Sequence, residues 1–350
     1  MYGLYQIVLF TIIDILNTLK SPFFIVVLCI IYFQYRKLGK LERENIGYRR
    51  AVIIKLIISA GFGMVGGIIA TVVFLYLGVV IIPKDFMYIL ATVIILSVIN
   101  PRYMCFAYGG GIVSLFSLIT GYPSIQISQV MSVVAVLHII ESILILFDGG
   151  RSNLPIIIES EDQLVGGFNM NRFWPIPFVI FIGDGLIQPI TLIAILSYGD
   201  YSFSSYPRKK VLKTSLNLFI YSLILLYISK NLDNLFLSPL FALLGHEYII
   251  LQNKASEEKR KPIFISPHKG VKVLQTNPNS IARKLNIKTG DILLSINGIE
   301  VKNRKDMEDI MRGRRNKITV EFFNIKTGLT TKRYYGKRKS LGLVIVPRDF

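Results

Sequence analysis

Charged side chains are scarce in this sequence. Asp, Glu, Lys and Arg together make up 18% of the 350 residues, whereas hydrophobic residues make up 52%. Soluble domains carry about 25% charged residues. The scarcity of charge excludes an ordinary soluble domain, and the abundance of hydrophobic side chains excludes a disordered chain.

Cysteine and histidine are also rare, with two cysteines and three histidines in the whole chain. Neither Cys29 nor Cys105 belongs to a Cys-x-x-Cys pair or to a Cys/His ligand spacing. The sequence therefore predicts neither a zinc site nor a disulfide framework, and we expect no metal and no cofactor. The N-terminus lacks a basic region followed by a cleavage motif, so we expect no removable signal peptide.

What the sequence does contain is long uncharged runs. A bilayer core of about 30 Å needs roughly 20 apolar residues in a helix, and residues 56–83 carry no charge at all. We predict an α-helical polytopic membrane domain over 21–251, with about six to eight hydrophobic helices. The predicted spans are 22–36, 51–82, 86–100, 103–120, 129–147, 173–198 and 211–229, with 232–250 as a weaker candidate. The segment 86–120 is either two thin spans or one broken span.

Residues 1–20 form a separate predicted element. At helical spacing their polar side chains share one arc and the apolar ones the other, which predicts an amphipathic helix at the membrane interface. Pro22 ends it, because proline opens a helix but does not continue one. The glycines of 61–67 and 109–111 are expected to let neighbouring helices approach closely.

The net charge of +18 is concentrated at the end of the chain. Residues 252–350 hold 23 Lys/Arg against 9 Asp/Glu, a net charge of +14. Lys and Arg accumulate on the cytoplasmic side of membranes, and the loops 36–50 and 208–213 are basic as well. We therefore expect a polar linker at 252–262 and a cytoplasmic domain at 263–350. Its clusters are predicted to face anionic lipid or an acidic partner rather than nucleic acid; they include Arg312, Arg314, Arg315, Lys337, Arg338 and Lys339.

The C-terminal domain resembles a PDZ domain. Its pattern is a strand at 270–274, a turn with Pro278 and Ser280 into a helix, a Gly-Asp-Ile turn at 290–292, and a strand ending in Asn297-Gly298. Ser280 is a suitable helix cap, and Asn-Gly is a strong hairpin signal. The resemblance implies an α+β fold that binds peptides.

A carboxylate-binding loop is predicted at the end of the chain, where bacterial PDZ domains often carry it first, so the order of elements suggests a circular permutation. The resemblance implies that a peptide adds a strand beside 343–346 and faces helix 304–312. The alternative is a closing strand with no ligand role. The predicted groove residues are Leu341, Gly342, Leu343, Val344, Ile345, Met307 and Ile310.

Five ionisable residues lie inside the hydrophobic region and are functional candidates on that ground. They are His138, Glu141, Asp184, His246 and Glu247. His246-Glu247 resembles the start of the His-Glu-x-x-His motif of membrane-embedded site-2 proteases, but the second histidine is missing, so we expect no catalytic residues and no enzyme. His138 and Glu141 are expected to pair and fix helix packing. A degenerate PDZ-containing peptidase and a transporter with a regulatory PDZ domain remain as alternatives.

The order of these elements resembles the MinJ family, polytopic PDZ proteins of Firmicutes that act as topological determinants of cell division. The resemblance rests on the amphipathic helix, the Asn-Pro-Arg at 100–102, the segment 137–142, His246-Glu247 and the PDZ pattern. It implies a non-enzymatic adaptor in the cell membrane, at the septum and poles, that links DivIVA to MinD and other division proteins.

Overall fold

A computed structural model describes residues 4–46, 51–151, 153–160, 163–183, 188–312, 316–336 and 340–348. The region before the PDZ pattern is mostly helical. Its helices are α1 (Leu4–Thr18), α2 (Pro22–Ile46), α3 (Val52–Leu77), α4 (Pro83–Ile99), α5 (Phe106–Thr120), α6 (Ile127–Leu144, extended by a π-helical turn Ile145–Gly149), α7 (Pro207–Asn231) and α8 (Leu237–Glu258).

Within the described residues, four helices are long and apolar enough to cross a membrane. They are Pro22–Arg43, Val52–Leu77, Ile127–Gly149 and Pro207–Asn231. The helical membrane region is therefore confirmed, with fewer candidate spans than expected. The segment 86–120 forms two antiparallel helices, α4 and α5. The start of α4 and the residues after α5 lie close together, because the Tyr88 and Tyr122 hydroxyls are 3.0 Å apart.

The predicted helical span 173–198 is wrong. This stretch forms most of a long antiparallel hairpin of β3 (Gln163–Ile182) and β4 (Gln188–Ser202). Its tip, including the candidate Asp184, lies outside the described residues. Three short strands complete the sheet around β3: β1 (Val80–Ile81), β2 (Leu154–Ser160) and β5 (Phe264–Ile265). Pro175 and Pro177 explain the difference, because two prolines two residues apart interrupt a helix but fit a strand whose amides on that edge are not needed for pairing.

Between residues 173 and 179, the edge of β3 that faces away from β4 pairs with no described strand. Its amide hydrogens are nevertheless hydrogen-bonded to side chains. The Phe173 amide donates to the Tyr35 hydroxyl (3.1 Å), and the Val179 amide donates to Thr71 Oγ1 (2.9 Å). The two positions between them are prolines, which have no amide hydrogen. A strand that lies beside a membrane-spanning helix must have its backbone donors hydrogen-bonded, because lipid offers no partners. Since α3 is a candidate span, these two bonds meet that requirement for the donors of this edge.

Glycines make the close approaches between these elements possible. A Cβ added at Gly63 or Gly67 of α3 would overlap the carbonyl oxygens of Pro175 and Pro177, respectively. Gly109, Gly110 and Gly111 face three different neighbours, since added Cβ atoms would meet Val93 of α4, Val134 of α6 and Leu243 of α8. Gly66 has the expected role against a helix, because a Cβ there would meet Ile140 and Leu144 of α6, whereas Gly63 and Gly67 face a strand and Gly61 meets nothing within 4 Å.

The C-terminal domain has the predicted α+β elements. Its helices are α9 (Ile281–Lys284) and α10 (Arg304–Arg312), and its strands are β6 (Val271–Thr276), β7 (Ile292–Ile296), β8 (Ile299–Glu300), β9 (Lys317–Asn324), β10 (Gly328–Tyr335) and β11 (Leu343–Val346). The sheet order is β10-β9-β7-β6-β11, with β8 paired to β7. The last strand of the chain therefore lies beside the first strand of the domain, as the permuted order predicts.

Local signals in this domain behave as the sequence indicates. The Ser280 hydroxyl accepts a hydrogen bond from the Arg283 amide at the start of α9. Gly290 has φ +93°, and Asn297-Gly298 has φ +53° and +82°, which are the left-handed conformations that these turns require. The Asp291 carboxylate accepts from the Lys288 amide and the Asn324 side chain, which joins the Gly-Asp turn to β9.

Candidate functional site

The predicted peptide groove lies between β11 and α10. Leu343 and Ile345 point from β11 into the same hydrophobic cluster as Met307 and Met311 of α10, and Ile310 packs against that cluster half-buried. The edge of β11 opposite β6 pairs with no strand among the described residues. The structure thus brings the predicted side chains together beside a free strand edge.

The loop before β11 is held by the segment that leads into α9. The carbonyl of Leu341 accepts from the Ala282 amide (3.1 Å), and the carbonyl of Gly342 accepts from the Asn277 amide (2.8 Å). Gly342 has φ +70°, and a Cβ there would lie 2.5 Å from Ser280 Cβ. Its amide donates to the exposed Ser340 hydroxyl (3.0 Å). A peptide carboxylate would have to replace this hydroxyl to reach the predicted amide.

Val344 lies on the strand beside the predicted groove, but its side chain is on the opposite face of that strand. Because side chains alternate along a strand, Val344 and Val346 point away from the groove and pack against Phe168 of the hairpin and Phe264 of β5. A Cβ added at Gly166 of β3 would overlap Val346. This contact fixes the PDZ domain on the base of the hairpin through the face of β11 opposite the predicted groove.

A buried ion cluster reinforces the joint between the two regions. Lys210, at the start of α7, lies 3.2 Å from the Glu257 carboxylate and 3.6 Å from that of Asp200. Glu257 lies within the predicted linker 252–262, which is helical up to Glu258 as the end of α8. Burial raises the pKa of Glu257, but the backbone amides of Ser204 and Phe203 and the charge of Lys210 outweigh it and hold the pKa below its usual value.

The predicted basic surface is only partly described. Arg312 is exposed and lies 3.3 Å from Asp309 of the same helix. Arg314, Arg315, Lys337, Arg338 and Lys339 lie outside the described residues. Lys272 of β6 is half-buried, and burial lowers its pKa.

The membrane region contains a second polar site, at the turn between α4 and α5. Cys105 ends this turn, and its sulfur lies 3.3 Å from His138 Nε2 of α6 and 3.7 Å from His246 Nε2 of α8. Glu141 lies 3.9 Å from His138 Nε2, so the expected proximity of these two residues is present. Sequence inspection missed Cys105, because it lies 33 positions from His138 and 141 from His246 and no local motif connects them.

The Glu247 carboxylate binds other partners than Cys105, His138 and His246. It forms an ion pair with Arg102 and accepts a hydrogen bond from the Tyr108 hydroxyl (2.6 Å). Both partners flank Cys105 in sequence, so the pair fixes the same turn to α8. His246 therefore faces Cys105 and His138, whereas Glu247 faces Arg102 and Tyr108.

The carboxylate of Asp148, in the Phe-Asp-Gly-Gly stretch at 147–150, binds side chains of the β3–β4 hairpin. This carboxylate is fully buried, forms an ion pair with Arg172 of β3 and accepts from the Trp174 indole (2.8 Å). Buried charges require such pairing. These bonds join the end of α6 to the centre of β3.

The geometry defines the class of protein: a helical region with four candidate membrane spans among the described residues, followed by a β-rich C-terminal domain. The family model described as "PDZ domain" matches residues 272–321, which run from β6 into β9. The predicted PDZ domain is therefore confirmed.

The chain is also similar to one characterised bacterial protein. The chain is 23% identical over 225 residues to the "Cell division topological determinant MinJ" of Bacillus subtilis (strain 168). The match covers 57% of this chain and 56% of the relative, so it spans about half the length of that protein. Both findings agree with the predicted resemblance to a MinJ-like PDZ protein.

Proposed function

We propose that the protein is a non-enzymatic membrane adaptor that recruits cytoplasmic partners through its PDZ groove. The observation that supports this most directly is the free edge of β11 beside the apolar side chains of α10. A peptide that adds a strand there gains main-chain hydrogen bonds from β11 and specificity from a side-chain pocket.

The groove favours a ligand with one apolar anchoring side chain. Leu343, Ile345 and Met307 are already buried, whereas Ile310 is half-buried at the rim. An incoming side chain would therefore pack first against Ile310. The Ser340 hydroxyl on the Gly342 amide would be exchanged either for a peptide carboxylate or for a backbone carbonyl.

The proposed orientation places the PDZ domain in the cytoplasm of a multi-pass protein of the cell membrane. We assume that the α4–α5 pair enters and leaves the membrane on the same side, and that the β3–β4 hairpin also does so. After the basic segment 36–50, only α3, α6, α7 and α8 then cross the membrane. That count places 36–50, 208–213 and 259–350 on the same side. All three are rich in Lys and Arg, which the positive-inside rule assigns to the cytoplasm.

We propose a role in positioning the division site, with DivIVA, MinD and other division proteins as candidate partners and the septum and poles as locations. The named relative supports the division role; the partners come from the family resemblance. The basic residues of the domain favour an anionic lipid surface at short range, with about 1 kcal/mol for each residue near that surface.

Substitution at the groove rim tests partner recruitment in the full-length protein. Ile310→Asp places a charge where the peptide side chain would pack, and we expect partner recruitment in cells to fall at least tenfold. Ile325→Asp is the matched control, because Ile325 is 69% exposed in the turn between β9 and β10. Gly342→Glu should act like Ile310→Asp. Full recruitment by both groove variants, with normal membrane insertion, would refute the groove.

Localisation tests the division role. A fluorescent fusion of the full chain is expected at septa and poles, and deletion is expected to misplace septa. A uniform membrane signal together with normally placed septa would contradict the proposal.

The absence of peptidase activity is part of the proposal. It is supported by the missing second histidine after His246 and by the engagement of Glu247 with Arg102 and Tyr108. The purified protein supplied with zinc should not cleave single-span membrane peptides. Cleavage that disappears in Glu247→Gln would show an enzyme instead.

A further inference from the structure

Three of the five histidine and cysteine side chains of this chain meet at one point in the membrane region. They are Cys105, His138 and His246, and one ligand atom from each lies within 4.8 Å of the other two. The remaining two, Cys29 and His268, lie elsewhere on α2 and before β6. The three elements that carry the cluster are far apart in sequence, so the fold alone assembles it.

The spacing of the cluster matches that of ligands around one tetrahedral ion. Zinc binds thiolate at about 2.3 Å and imidazole nitrogen at about 2.0–2.1 Å, so a tetrahedral angle separates sulfur from nitrogen by roughly 3.6 Å. The observed separations from Cys105 Sγ are 3.3 Å to His138 Nε2 and 3.7 Å to His246 Nε2. Ordinary side-chain adjustment of a few tenths of an ångström would accommodate the metal.

The surroundings also prepare these groups as ligands. His138 Nδ1 lies 2.7 Å from the Val134 carbonyl, an arrangement in which it donates its hydrogen and leaves Nε2 free for a metal. Cys105 sits at the N-terminus of α5, and its sulfur accepts from the Ala107 amide. The helix N-terminus and the Ala107 amide would stabilise the thiolate that forms when a metal displaces the thiol proton.

The polar groups around His246 leave its ring incompletely satisfied. Its Nδ1 is buried and has no hydrogen-bond partner within the described part of the chain. The other ring nitrogen, Nε2, lies 3.7 Å from Cys105 Sγ. Coordination through Nε2 would fix the ring in this position without a hydrogen bond from Nδ1.

Charge balance favours a divalent ion at this depth. Metal binding would displace the protons of the Cys105 thiol and the Glu141 carboxyl and so supply two negative charges beside His138, which is 2% exposed. A dication would neutralise them in a region where an unpaired charge is costly. Glu141, 3.9 Å from His138 Nε2, is the candidate for the fourth ligand.

We propose that Cys105, His138, His246 and Glu141 bind one zinc ion that joins the α4–α5 turn to α6 and α8. Two imidazoles, one thiolate and one carboxylate are a ligand set that suits zinc in a closed, four-coordinate structural site. The ion would hold the tip of the α4–α5 pair inside the helix bundle. This inference is independent of the PDZ groove.

The test measures metal bound by the full-length protein in detergent, purified through a tag without histidine. After incubation with zinc and removal of excess, elemental analysis is expected to give about one zinc per chain. Cys105→Ser and His246→Gln should each lower the bound zinc at least tenfold. Cys29→Ser and His268→Gln are the matched controls and should bind like the parent protein.

Cobalt substitution identifies the sulfur ligand directly. The parent protein and Cys29→Ser should show a thiolate-to-cobalt charge-transfer band, and Cys105→Ser should lack it. The emission of Trp174 confirms that each variant is folded. A folded parent protein without bound zinc, or a cobalt–thiolate band retained in Cys105→Ser, would each overturn the proposal.

Discussion

The contact between α3 and β3 leads to a specific prediction about three glycines in one helix. Gly63 and Gly67 face the backbone of β3, whereas nothing lies within 4 Å of a Cβ added at Gly61. We expect Gly63→Ala and Gly67→Ala to destabilise the protein. Gly61→Ala should be neutral or stabilising, because alanine is favoured over glycine inside a helix by about 0.5–1 kcal/mol.

The magnitude follows from the distances to the proline carbonyls. A Cβ at Gly63 would lie 2.8 Å from the Pro175 carbonyl carbon, and one at Gly67 would lie 2.9 Å from that of Pro177. Carbon atoms in contact are separated by about 3.5–4.0 Å, so α3 would have to retreat by at least roughly 0.7 Å. The obstacle is backbone, which cannot rotate away, and overpacking of this kind costs about 1–3 kcal/mol.

The retreat would also lengthen the bond from the Val179 amide to Thr71 Oγ1, now 2.9 Å. The loss of such a bond adds about 1 kcal/mol. Because one movement of α3 relieves both clashes, the double variant should be less destabilised than the sum of the single variants.

The chain carries its own reporter for this experiment. Trp174 is the only tryptophan, is fully buried, and precedes Pro175 on β3. Denaturant unfolding in detergent, followed by tryptophan emission, gives the stability of each variant. Gly67→Ala at or above the stability of Gly61→Ala would refute the packing argument.

Three further predictions concern buried polar groups. Asp148→Asn removes the carboxylate that pairs with the buried Arg172 and should cost about 3–5 kcal/mol, measured by the same unfolding assay. Ser280→Ala removes the cap of α9 and should cost about 1 kcal/mol, with the loss seen in the PDZ domain by hydrogen exchange. The folded pKa of Glu257 is lowered, so its stabilising contribution is complete above the unfolded value of about 4.3 and is lost as pH falls through the folded pKa. Thermal scans continued from pH 6 to about pH 3 should therefore show a steeper loss below about pH 4 for the parent protein than for Glu257→Gln.

The PDZ domain could be predicted closely because its signals are local. Ser280, Gly290 and Asn297-Gly298 each determine a cap or a turn within a few residues of themselves, and the structure has those caps and turns. The face of Val344 was not predictable in this way. It depends on a hairpin more than 140 positions earlier in the chain.

The hairpin itself shows the limit of hydropathy. Residues 173–198 are apolar enough for a span, and apolarity alone does not separate a buried strand from a membrane helix. The spacing of Pro175 and Pro177 was the available signal, since neither suits a helix interior. The Cys105, His138 and His246 cluster offered no comparable local signal, because its members come from three different helices or their ends.

The edge of β3 has a consequence for the order of membrane insertion. Chains are synthesised from the N-terminus, and the groups that cover this edge, Tyr35 and Thr71, both precede the strand. In a chain that inserts into a bilayer as it is synthesised, this surface is available before the strand leaves the ribosome, so the strand amides are covered as soon as they emerge. A rearranged chain that places residues 163–202 ahead of α2 and α3 would lose this advantage and should accumulate as uninserted protein.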